Sequence, residues 1–313
     1  MKDNYGRNIY YLRLSVTERC NLRCVYCMPD GHPKRHQHEM ARDEIAEIVR
    51  AAAACGISKV RVTGGEPLVR RGIMDICRGI TDTPGITELC LTTNGILLPE
   101  YAGELKAAGV SRLNISLDSL DPETYREITR TGTLDAALSG IRAALATGFD
   151  MVKINAVLMG GVNDGEILSL LNLTRQYKVN VRFIEAMPIG ECADWAESRF
   201  VSASKVLEIA PELTDAGTDG VASLYRLPGG LGTVGLIRPI SSHFCPTCNR
   251  IRVTSDGKLK PCLHSAEEID IRGLRGQELE NMIRAAILKK PQKHRLDSGE
   301  ISGSARNMNA IGG

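Results

Sequence analysis

The chain has 313 residues, 43% hydrophobic and 24% charged, which suits one or two globular domains with a core large enough for a barrel or a doubly wound sheet. A formal net charge of +2 lacks the basic excess that bulk binding to nucleic acid or anionic membrane requires, so we expect neither partner. No stretch reaches membrane-spanning length and the N-terminus lacks the apolar core of a signal peptide, so we expect a cytoplasmic protein.

Short β-branched runs alternate with amphipathic segments along the first 190 residues. The runs are residues 12–16, 59–63, 89–93, 112–117, 152–158 and 179–184. Segment 44–54 carries apolar residues at helical spacing, and segment 134–146 ends before Gly148, a typical helix stop. Six such βα units predict an α/β fold with a parallel sheet and right-handed crossovers.

This alternation stops after Pro188. Residues 190–265 lack a regular period, apart from a helical segment at 204–209 and a strand-like run at 235–237. An amphipathic helix is predicted at 277–289, and the glycine- and serine-bearing tail after it has the composition of a poorly ordered segment. The predicted domains are residues 1–190 and 191–313.

Three cysteines, Cys20, Cys24 and Cys27, follow the first β-branched run. A structural zinc site needs four ligands and typically two Cys-x-x-Cys pairs, whereas this segment has one pair. Three thiolates leave one iron of a four-iron cluster free to bind a non-protein ligand. The C-x3-C-x2-C spacing, with Tyr26 before the third cysteine, is the motif of the radical S-adenosylmethionine (SAM) superfamily, and we favour it over zinc or inert thiols.

Glycines and polar residues follow several of the predicted strands directly. Gly64-Gly65-Glu66-Pro67 follows the second strand, Thr92-Thr93-Asn94 closes the third, Ser116-Leu117-Asp118 closes the fourth, and Met187 follows the sixth. Each segment alone is explained by a turn or a helix cap. Together they lie at the carboxyl ends of the strands, where the loops of a parallel barrel form the active site.

A second cysteine group lies in Phe244-Cys245-Pro246-Thr247-Cys248-Asn249-Arg250-Ile251-Arg252, and Cys262 adds a third thiol. With the segments above, Asn114-Ile115 before Ser116, and the terminal Gly312-Gly313, this group resembles the GTP 3′,8-cyclase family of radical SAM enzymes over nearly the whole chain. That family carries out the first step of molybdenum cofactor biosynthesis. The resemblance implies a partial (βα)6 radical SAM barrel with a C-terminal iron-sulfur extension that completes the barrel mouth.

The second cysteine group has two interpretations. Cys245, Cys248 and Cys262, with His264 as a fourth ligand, make a Cys3His zinc site, which these residues alone favour slightly. The first cysteine loop and the family resemblance instead favour a second four-iron cluster. Its open iron then faces the purine of GTP, and His264 is a bystander.

The resemblance also implies which residues bind the two small molecules. Those for SAM are Tyr26, Gly65, Ser116 and Met187, although Met187 alone is equally explained by core packing. Those for GTP are Arg13, Arg61, Thr92, Lys153, Arg250, Ile251 and Arg252, with Lys59 and Arg182 as further phosphate-binding candidates. Arg250 and Arg252 alternate, so an extended segment projects both to one face, where guanidinium groups pair with phosphates and purine acceptors.

The implied reaction begins with cleavage of SAM to methionine and a 5′-deoxyadenosyl radical, which removes hydrogen from C3′ of GTP. The ribose radical attacks C8, and reduction gives (8S)-3′,8-cyclo-7,8-dihydroguanosine 5′-triphosphate. The implied catalytic residues are Arg250, Arg252, Gly312 and Gly313, with the tail, including Arg306, reaching into the barrel. The implied partners are a low-potential electron donor of flavodoxin or ferredoxin type, a downstream cyclic pyranopterin monophosphate synthase and a second copy in a homodimer.

Two other functions compete with this one. A peptide-modifying radical SAM maturase with auxiliary clusters predicts more C-terminal cysteines than three. A non-enzymatic zinc or iron-sulfur scaffold has no use for the Gly-Gly-Glu-Pro segment beside the cysteine loop. Cys55, Cys77 and Cys90 are expected to be buried free thiols. No role is assigned to Cys192, His32, His36 and His38.

Overall fold

The computed structural model describes residues 1–28, 39–296 and 302–312. His32, His36, His38 and Gly313 lie outside these ranges, so the interpretations of those residues stay predictions. Within the described ranges, no helix is long and apolar enough to cross a membrane.

A single twelve-stranded sheet organises the described chain. Its strands are β1 (Tyr11–Ser15), β2 (Lys59–Thr63), β3 (Glu88–Thr93), β4 (Val110–Ser116), β5 (Met151–Leu158), β6 (Asn180–Glu185), β7 (Thr214–Asp219), β8 (Ala222–Arg226), β9 (Thr233–Ile237), β10 (Arg250–Val253), β11 (Lys258–Lys260) and β12 (Ile269–Asp270). Their order across the sheet is β12-β11-β10-β1-β2-β3-β4-β5-β6-β9-β8-β7. The run from β10 to β9 is parallel, and the remaining strands at both edges pair antiparallel.

The helices of the described ranges are α1 (Arg42–Ala54), α2 (Ile73–Thr81), α3 (Leu98–Ala107), α4 (Pro122–Thr129), α5 (Leu134–Thr147), α6 (Ile167–Gln176), α7 (Ala193–Ser198), α8 (Lys205–Ile209), α9 (Gly276–Leu288) and α10 (Met308–Ile311). Helices α1 to α6 connect β1 to β6 in turn. Asp121 caps the N-terminus of α4, and its side chain accepts a hydrogen bond from Thr124 N at 2.8 Å. Gly148 caps the C-terminus of α5 with a left-handed φ of 73°. The six predicted strands and both predicted helices of this half are confirmed.

The two faces of the sheet have different chemistry. On β1 and β2, Leu12, Leu14 and Val60 belong to the hydrophobic core, whereas the alternating Arg13 and Arg61 line a cavity. Since successive side chains of a strand point to opposite faces, the apolar face packs against helices and the polar face is left for the cavity.

Residues 190–265 are more regular than the sequence pattern predicts. They contain β7 to β11, and β9 and β10 extend the parallel sheet beside β6 and β1. The first five residues of β7 are exposed and polar or small, and β10 has four residues, so neither gives a clear period-2 signal. The domain boundary at residue 190 stays a prediction.

The tail also differs from its prediction of poor order. Within residues 302–312, α10 forms, and Asn309, Ala310 and Ile311 are buried. Ala310 and Ile311 supply the apolar contact that composition alone did not indicate.

Candidate active site

A cavity of about 420 Å³ lies against the polar face of the parallel sheet. All six motif cysteines line it. The four residues implied for SAM, namely Tyr26, Gly65, Ser116 and Met187, line it as well. The sheet therefore brings together most of the residues that the sequence motifs singled out.

Backbone contacts hold the first cysteine loop. Cys27 N donates to Cys24 O at 3.0 Å, and Arg23 N donates to Thr129 O, at the end of α4, at 3.0 Å. Burial raises the pKa of Cys20 to about 11, and burial together with neighbouring thiols raises the pKa values of Cys24 and Cys27 as well. These cysteines are therefore protonated thiols in the metal-free protein, and metal binding releases their protons.

The Gly-Gly-Glu-Pro loop packs directly against the segment before the first cysteine. Gly65 N donates to Thr17 O, and Glu66 N donates to Arg19 O, both at 2.8 Å. A Cβ on Gly65 would lie 2.5 Å from Arg19 O, so only glycine fits. The family resemblance implies a role for this glycine in binding SAM, and the contact with Arg19 is a separate, structural reason for it.

Glu66 connects the ends of two strands to the cysteine loop. Its carboxylate accepts hydrogen bonds from Thr93 Oγ1 at 2.8 Å and Asn94 N at 2.7 Å, and burial raises its pKa to about 7. Asn94 Nδ2 donates to Asn21 Oδ1 at 2.7 Å and lies 3.9 Å from Cys20 Sγ. The buried carboxylate thus fixes β3 relative to the first cysteine.

Asp118 fixes the aromatic residue of the first motif. Tyr26 OH donates to Asp118 Oδ2 and Val157 N donates to Asp118 Oδ1, both at 2.8 Å. Burial raises the pKa of Asp118 to about 6. Nearby on the cavity wall, Asn114 Oδ1 and Asn155 Oδ1 are buried without a hydrogen-bond partner among the described residues. Sequence reasoning missed Asn155, although its position in an otherwise apolar strand was a usable signal.

Basic side chains dominate the rest of the wall. They are Arg13, Lys59, Arg61, Lys153, Arg182, Arg250 and Arg252, and Thr92 lies among them. The alternation of Arg250 and Arg252 on β10 places both on the cavity face, as predicted. The Ile251 side chain is 1% exposed in the hydrophobic core on the opposite face, which leaves only its backbone for a contact in the cavity, and its assignment as a site residue stays a prediction.

Several of these cations have partners within the cavity. Lys153 Nζ and Arg182 Nη2 both donate to Asp219 Oδ2, and the Arg250 guanidinium lies 5.5 Å from the centre of the Tyr11 ring. Burial and the neighbouring Arg182 lower the pKa of Lys153 to about 8, although Asp219 opposes the shift. Sequence reasoning missed Asp219, which ends an exposed polar strand and gives no local signal.

A buried lysine organises the second cysteine group. Lys290 is 2% exposed, and its Nζ donates to Arg250 O and Pro261 O at 2.8 Å and to Cys248 Sγ at 3.7 Å. Burial opposes ionisation of Cys248, but Lys290 and Arg250 hold its pKa below the usual value. His264 Nδ1 lies 3.2 Å from Ser302 Oγ. Sequence reasoning missed Lys290 because it reads as an ordinary cation at a helix end.

The arrangement of thiols bears on which metal fits. In residues 1–28, 39–296 and 302–312, no three His, Cys, Asp or Glu side chains converge on one ion-sized site. Cysteines that hold a four-iron cluster each bind a different iron, so their sulfurs need not converge on one point. Three half-buried cysteines on one wall, Cys20, Cys24 and Cys27, fit a cluster with one iron left open.

The tail enters the cavity region, as predicted. Gly312 O accepts a hydrogen bond from Arg252 Nη1 at 2.8 Å, and Met308 and Asn309 line the cavity. Gly312 has a φ of 78°, and a Cβ there would lie 2.6 Å from Thr63 Cγ2. Both the backbone conformation and the close contact require glycine.

The remaining cysteines lie away from the two motifs in sequence. Cys55, Cys77 and Cys90 are buried free thiols, as predicted. Cys192 is buried as well, and its Sγ donates to Val25 O at 3.2 Å, beside the first cysteine loop.

Comparison with known proteins identifies the family. Residues 14–174 match the Radical SAM superfamily, and residues 179–296 match Molybdenum Cofactor Synthesis C. The chain is 51% identical over 322 residues to the GTP 3′,8-cyclase of Alkaliphilus metalliredigens and 47% identical over 328 residues to that of Heliobacterium modesticaldum, with 100% of each chain covered.

Solved structures show the same fold at low identity. Streptococcus suis SuiB bound to S-adenosylmethionine has a TM-score of 0.64 at 15% identity, covering 97% of this chain and 77% of SuiB. Methylornithine synthase PylB has a TM-score of 0.56 at 16% identity, covering 94% of this chain and 86% of PylB. The full-length identity decides the assignment within that fold: the chain belongs to the GTP 3′,8-cyclase family of the radical SAM superfamily.

Proposed function

We propose that this chain is a lyase that converts GTP to (8S)-3′,8-cyclo-7,8-dihydroguanosine 5′-triphosphate, with cleavage of SAM to 5′-deoxyadenosine and methionine. This reaction is the first step of molybdenum cofactor biosynthesis. The observation that carries the proposal is that two three-cysteine groups and eight lysine and arginine side chains line one cavity. A triphosphate group explains the cations, and a purine with atoms that can bind iron explains a second cluster with an open iron.

Cys20, Cys24 and Cys27 would hold the first four-iron cluster, which when bound supplies the electron that cleaves SAM. The residues proposed to hold SAM are Tyr26, Gly65, Ser116 and Met187. Asp118 would act on Tyr26 by fixing its hydroxyl, and Gly65, which lines the cavity, would offer its backbone to the cofactor.

The triphosphate is proposed to bind the cavity cations. The residues are Arg13, Arg61, Thr92, Lys153, Arg250 and Arg252, with Lys59, Arg182 and the backbone of Ile251 as further contacts. Their charges balance the several negative charges of GTP, and guanidinium forks bind phosphate oxygens in pairs. By fixing the phosphates, these side chains would orient the ribose and the purine so that C3′ and C8 are held in position for bond formation.

Cys245, Cys248 and Cys262 are proposed to hold a second four-iron cluster whose open iron binds the purine. Lys290 would support it, because its charge favours the Cys248 thiolate that metal binding requires. The alternative is a Cys3His zinc site with His264. Within the described residues these four side chains do not converge on one ion-sized site, which favours the cluster.

The proposed catalytic residues are Arg250, Arg252 and the tail glycines Gly312 and Gly313. The proposed protein partners follow from the reaction. A flavodoxin or ferredoxin would supply low-potential electrons, and cyclic pyranopterin monophosphate synthase would take the oxygen-sensitive product. A homodimer is proposed from the family resemblance.

Anaerobic reconstitution, iron and zinc analysis and an assay with GTP and SAM test this function. We expect about eight iron atoms per chain, formation of 5′-deoxyadenosine and formation of the cyclised nucleotide. Cys262→Ala should bind about four iron atoms and make no cyclised nucleotide. Cys77→Ala, which changes a buried thiol away from the cavity, should keep the full iron content and form the cyclised nucleotide. About four iron atoms and one zinc in the wild type would contradict the second cluster.

A further inference from the structure

We propose that Asp219 is an internal competitor for the phosphate groups of the substrate, because it holds Lys153 and Arg182 when no nucleotide is bound. Asp219 is the last residue of β7, at the tip of the β7–β8 hairpin. Its Oδ2 accepts hydrogen bonds from Lys153 Nζ and, at 2.5 Å, from Arg182 Nη2. The inference rests on the proposed function, because it takes these two cations as phosphate ligands.

The two cations need a counter-charge with or without a nucleotide. Arg182 lies opposite Asn155 in the β5–β6 register, so Lys153 and Arg182 lie two positions apart on adjacent strands. Their side chains are 5% and 9% exposed. Like charges this close and this buried repel each other and lose hydration. Asp219, whose side chain is 34% exposed, supplies the opposite charge from the solvent side.

The other carboxylates of the cavity wall are used differently. Asp118 accepts hydrogen bonds from the Tyr26 hydroxyl and a backbone amide. Glu185 accepts hydrogen bonds from backbone amides and serine hydroxyls. Among the described carboxylates that line the cavity, Asp219 alone forms salt bridges with the basic side chains proposed to bind phosphate.

The hairpin is built so that its tip can release the cations. Strand β7 lies at the sheet edge and pairs with β8, and its first five residues are exposed. Gly220 follows Asp219 with a left-handed φ of 64°, and Gly220 and Val221 line the cavity. Few buried contacts therefore oppose a shift of the tip.

Competition follows from charge and position. A phosphate group on Lys153 or Arg182 would bind beside the Asp219 carboxylate, and the two anions repel each other. Binding then requires Asp219 to release the cations, which lowers the apparent affinity of every such ligand by one common factor. A ligand without phosphate avoids this factor. Weakly bound inorganic anions are thus kept off the cations, whereas GTP overcomes the factor with its contacts elsewhere in the cavity.

Asp219→Asn removes the charge and keeps the size and polarity of the side chain. Reconstituted holoenzyme without SAM, which therefore cannot turn over, would be titrated with GTP, inorganic triphosphate and guanosine. We expect the Kd values for GTP and triphosphate to fall about five- to tenfold, and the Kd for guanosine to stay unchanged. The matched control is Asp215→Asn on the same hairpin, where the carboxylate accepts a hydrogen bond from Gly217 N at 2.6 Å. It should leave all three Kd values unchanged.

Unchanged or weaker GTP binding by Asp219→Asn, with normal iron content and circular dichroism, overturns the inference. Weaker binding would make Asp219 a ligand of the nucleotide complex instead. Asp219→Ser provides the same test if the asparagine variant does not fold. A wild-type holoenzyme that binds neither GTP nor triphosphate refutes the proposed function itself, and this outcome is distinct from one in which only the variant fails to respond.

Discussion

Replacement of Arg306 by alanine is expected to release the C-terminal tail and stop turnover while the iron content stays unchanged. The Arg306 side chain is 12% exposed and makes two forked contacts. Nη1 and Nη2 donate to the Asp256 carboxylate at 3.0 and 2.9 Å, and Nε and Nη2 donate to the Glu268 carboxylate at 2.7 Å. Glu18 Oε1 lies 3.6 Å from Nη1.

The magnitude follows from what the substitution leaves behind. The side chains of Glu18, Asp256 and Glu268 are 9%, 10% and 23% exposed, and Glu268 keeps a second cation, Lys260, at 3.1 Å. Removing one partner of a buried ion pair costs about 3–5 kcal/mol. Burial of Ile311, the largest apolar side chain of α10 that is fully buried, contributes about 1.5–3 kcal/mol. The free energy lost with the ion pairs matches or exceeds the free energy that burial of Ile311 contributes, so we expect the tail to be released while the barrel stays folded.

Hydrogen exchange over residues 302–312, iron content and turnover with GTP and SAM measure the effect. Arg306→Lys keeps the charge but lacks the fork, so it should give intermediate exchange and turnover. Arg284→Ala is the matched control, because its side chain is 41% exposed and lies 3.6 Å from Glu280. Retained tail protection would show that the ion pairs do not hold the tail. Rapid tail exchange with normal turnover would show that catalysis does not need it.

Three further substitutions address other parts of the site. Gly312→Ala should lower turnover at least about tenfold, because the left-handed backbone and the contact with Thr63 exclude a Cβ; equal rates in the GTP assay would contradict this. In wild type, raising the pH from about 5 to 8 should lower the free energy of unfolding by up to about 3 kcal/mol, because burial raises the pKa of Glu66 in the folded state to about 7. Below that pH the folded state keeps a proton that the unfolded state has already released, so a rise in pH favours unfolding until the folded state loses this proton as well. Glu66→Gln should reduce this slope in urea titrations without removing it, because burial also raises the pKa values of Asp118 and Glu18, and an unchanged slope would assign it to those groups. Lys290→Met leaves two buried carbonyls without a donor and removes the cation beside Cys248, so reconstituted iron should fall from about eight to about four atoms per chain; full iron content would exclude this role.

The parallel part of the sheet was predictable because each strand carries its own signal. Aliphatic residues at alternating positions mark β1, β2 and β5, and the charged residues that interrupt them, Arg13, Arg61 and Lys153, stand out for that reason. A charge in such a strand is costly unless it faces a polar site. The cavity face of the sheet was therefore predictable together with the strands themselves.

The features that sequence reasoning missed depend on contacts between distant residues. Asp219 is 66 residues from Lys153, and Arg306 is 50 residues from Asp256, so no local spacing connects them. Lys290 lies just after α9, where a lysine is ordinary, so nothing in the local sequence connects it with the cysteine group. Partners of this kind are set by which strands become neighbours, and the position of β10 beside β1 was not predicted.

The position of β10 explains why the C-terminal segment belongs to the site. In register, Arg252 lies opposite Arg13 and Arg13 lies opposite Arg61, which gives a row of three guanidinium groups across β10, β1 and β2. Burial and the neighbouring Arg252 lower the pKa of Arg13 well below its usual value. Like charges opposite each other destabilise a sheet. The same row would become favourable with a polyanion across it, so this register opposes the stability of the free protein and would serve the proposed binding of a triphosphate.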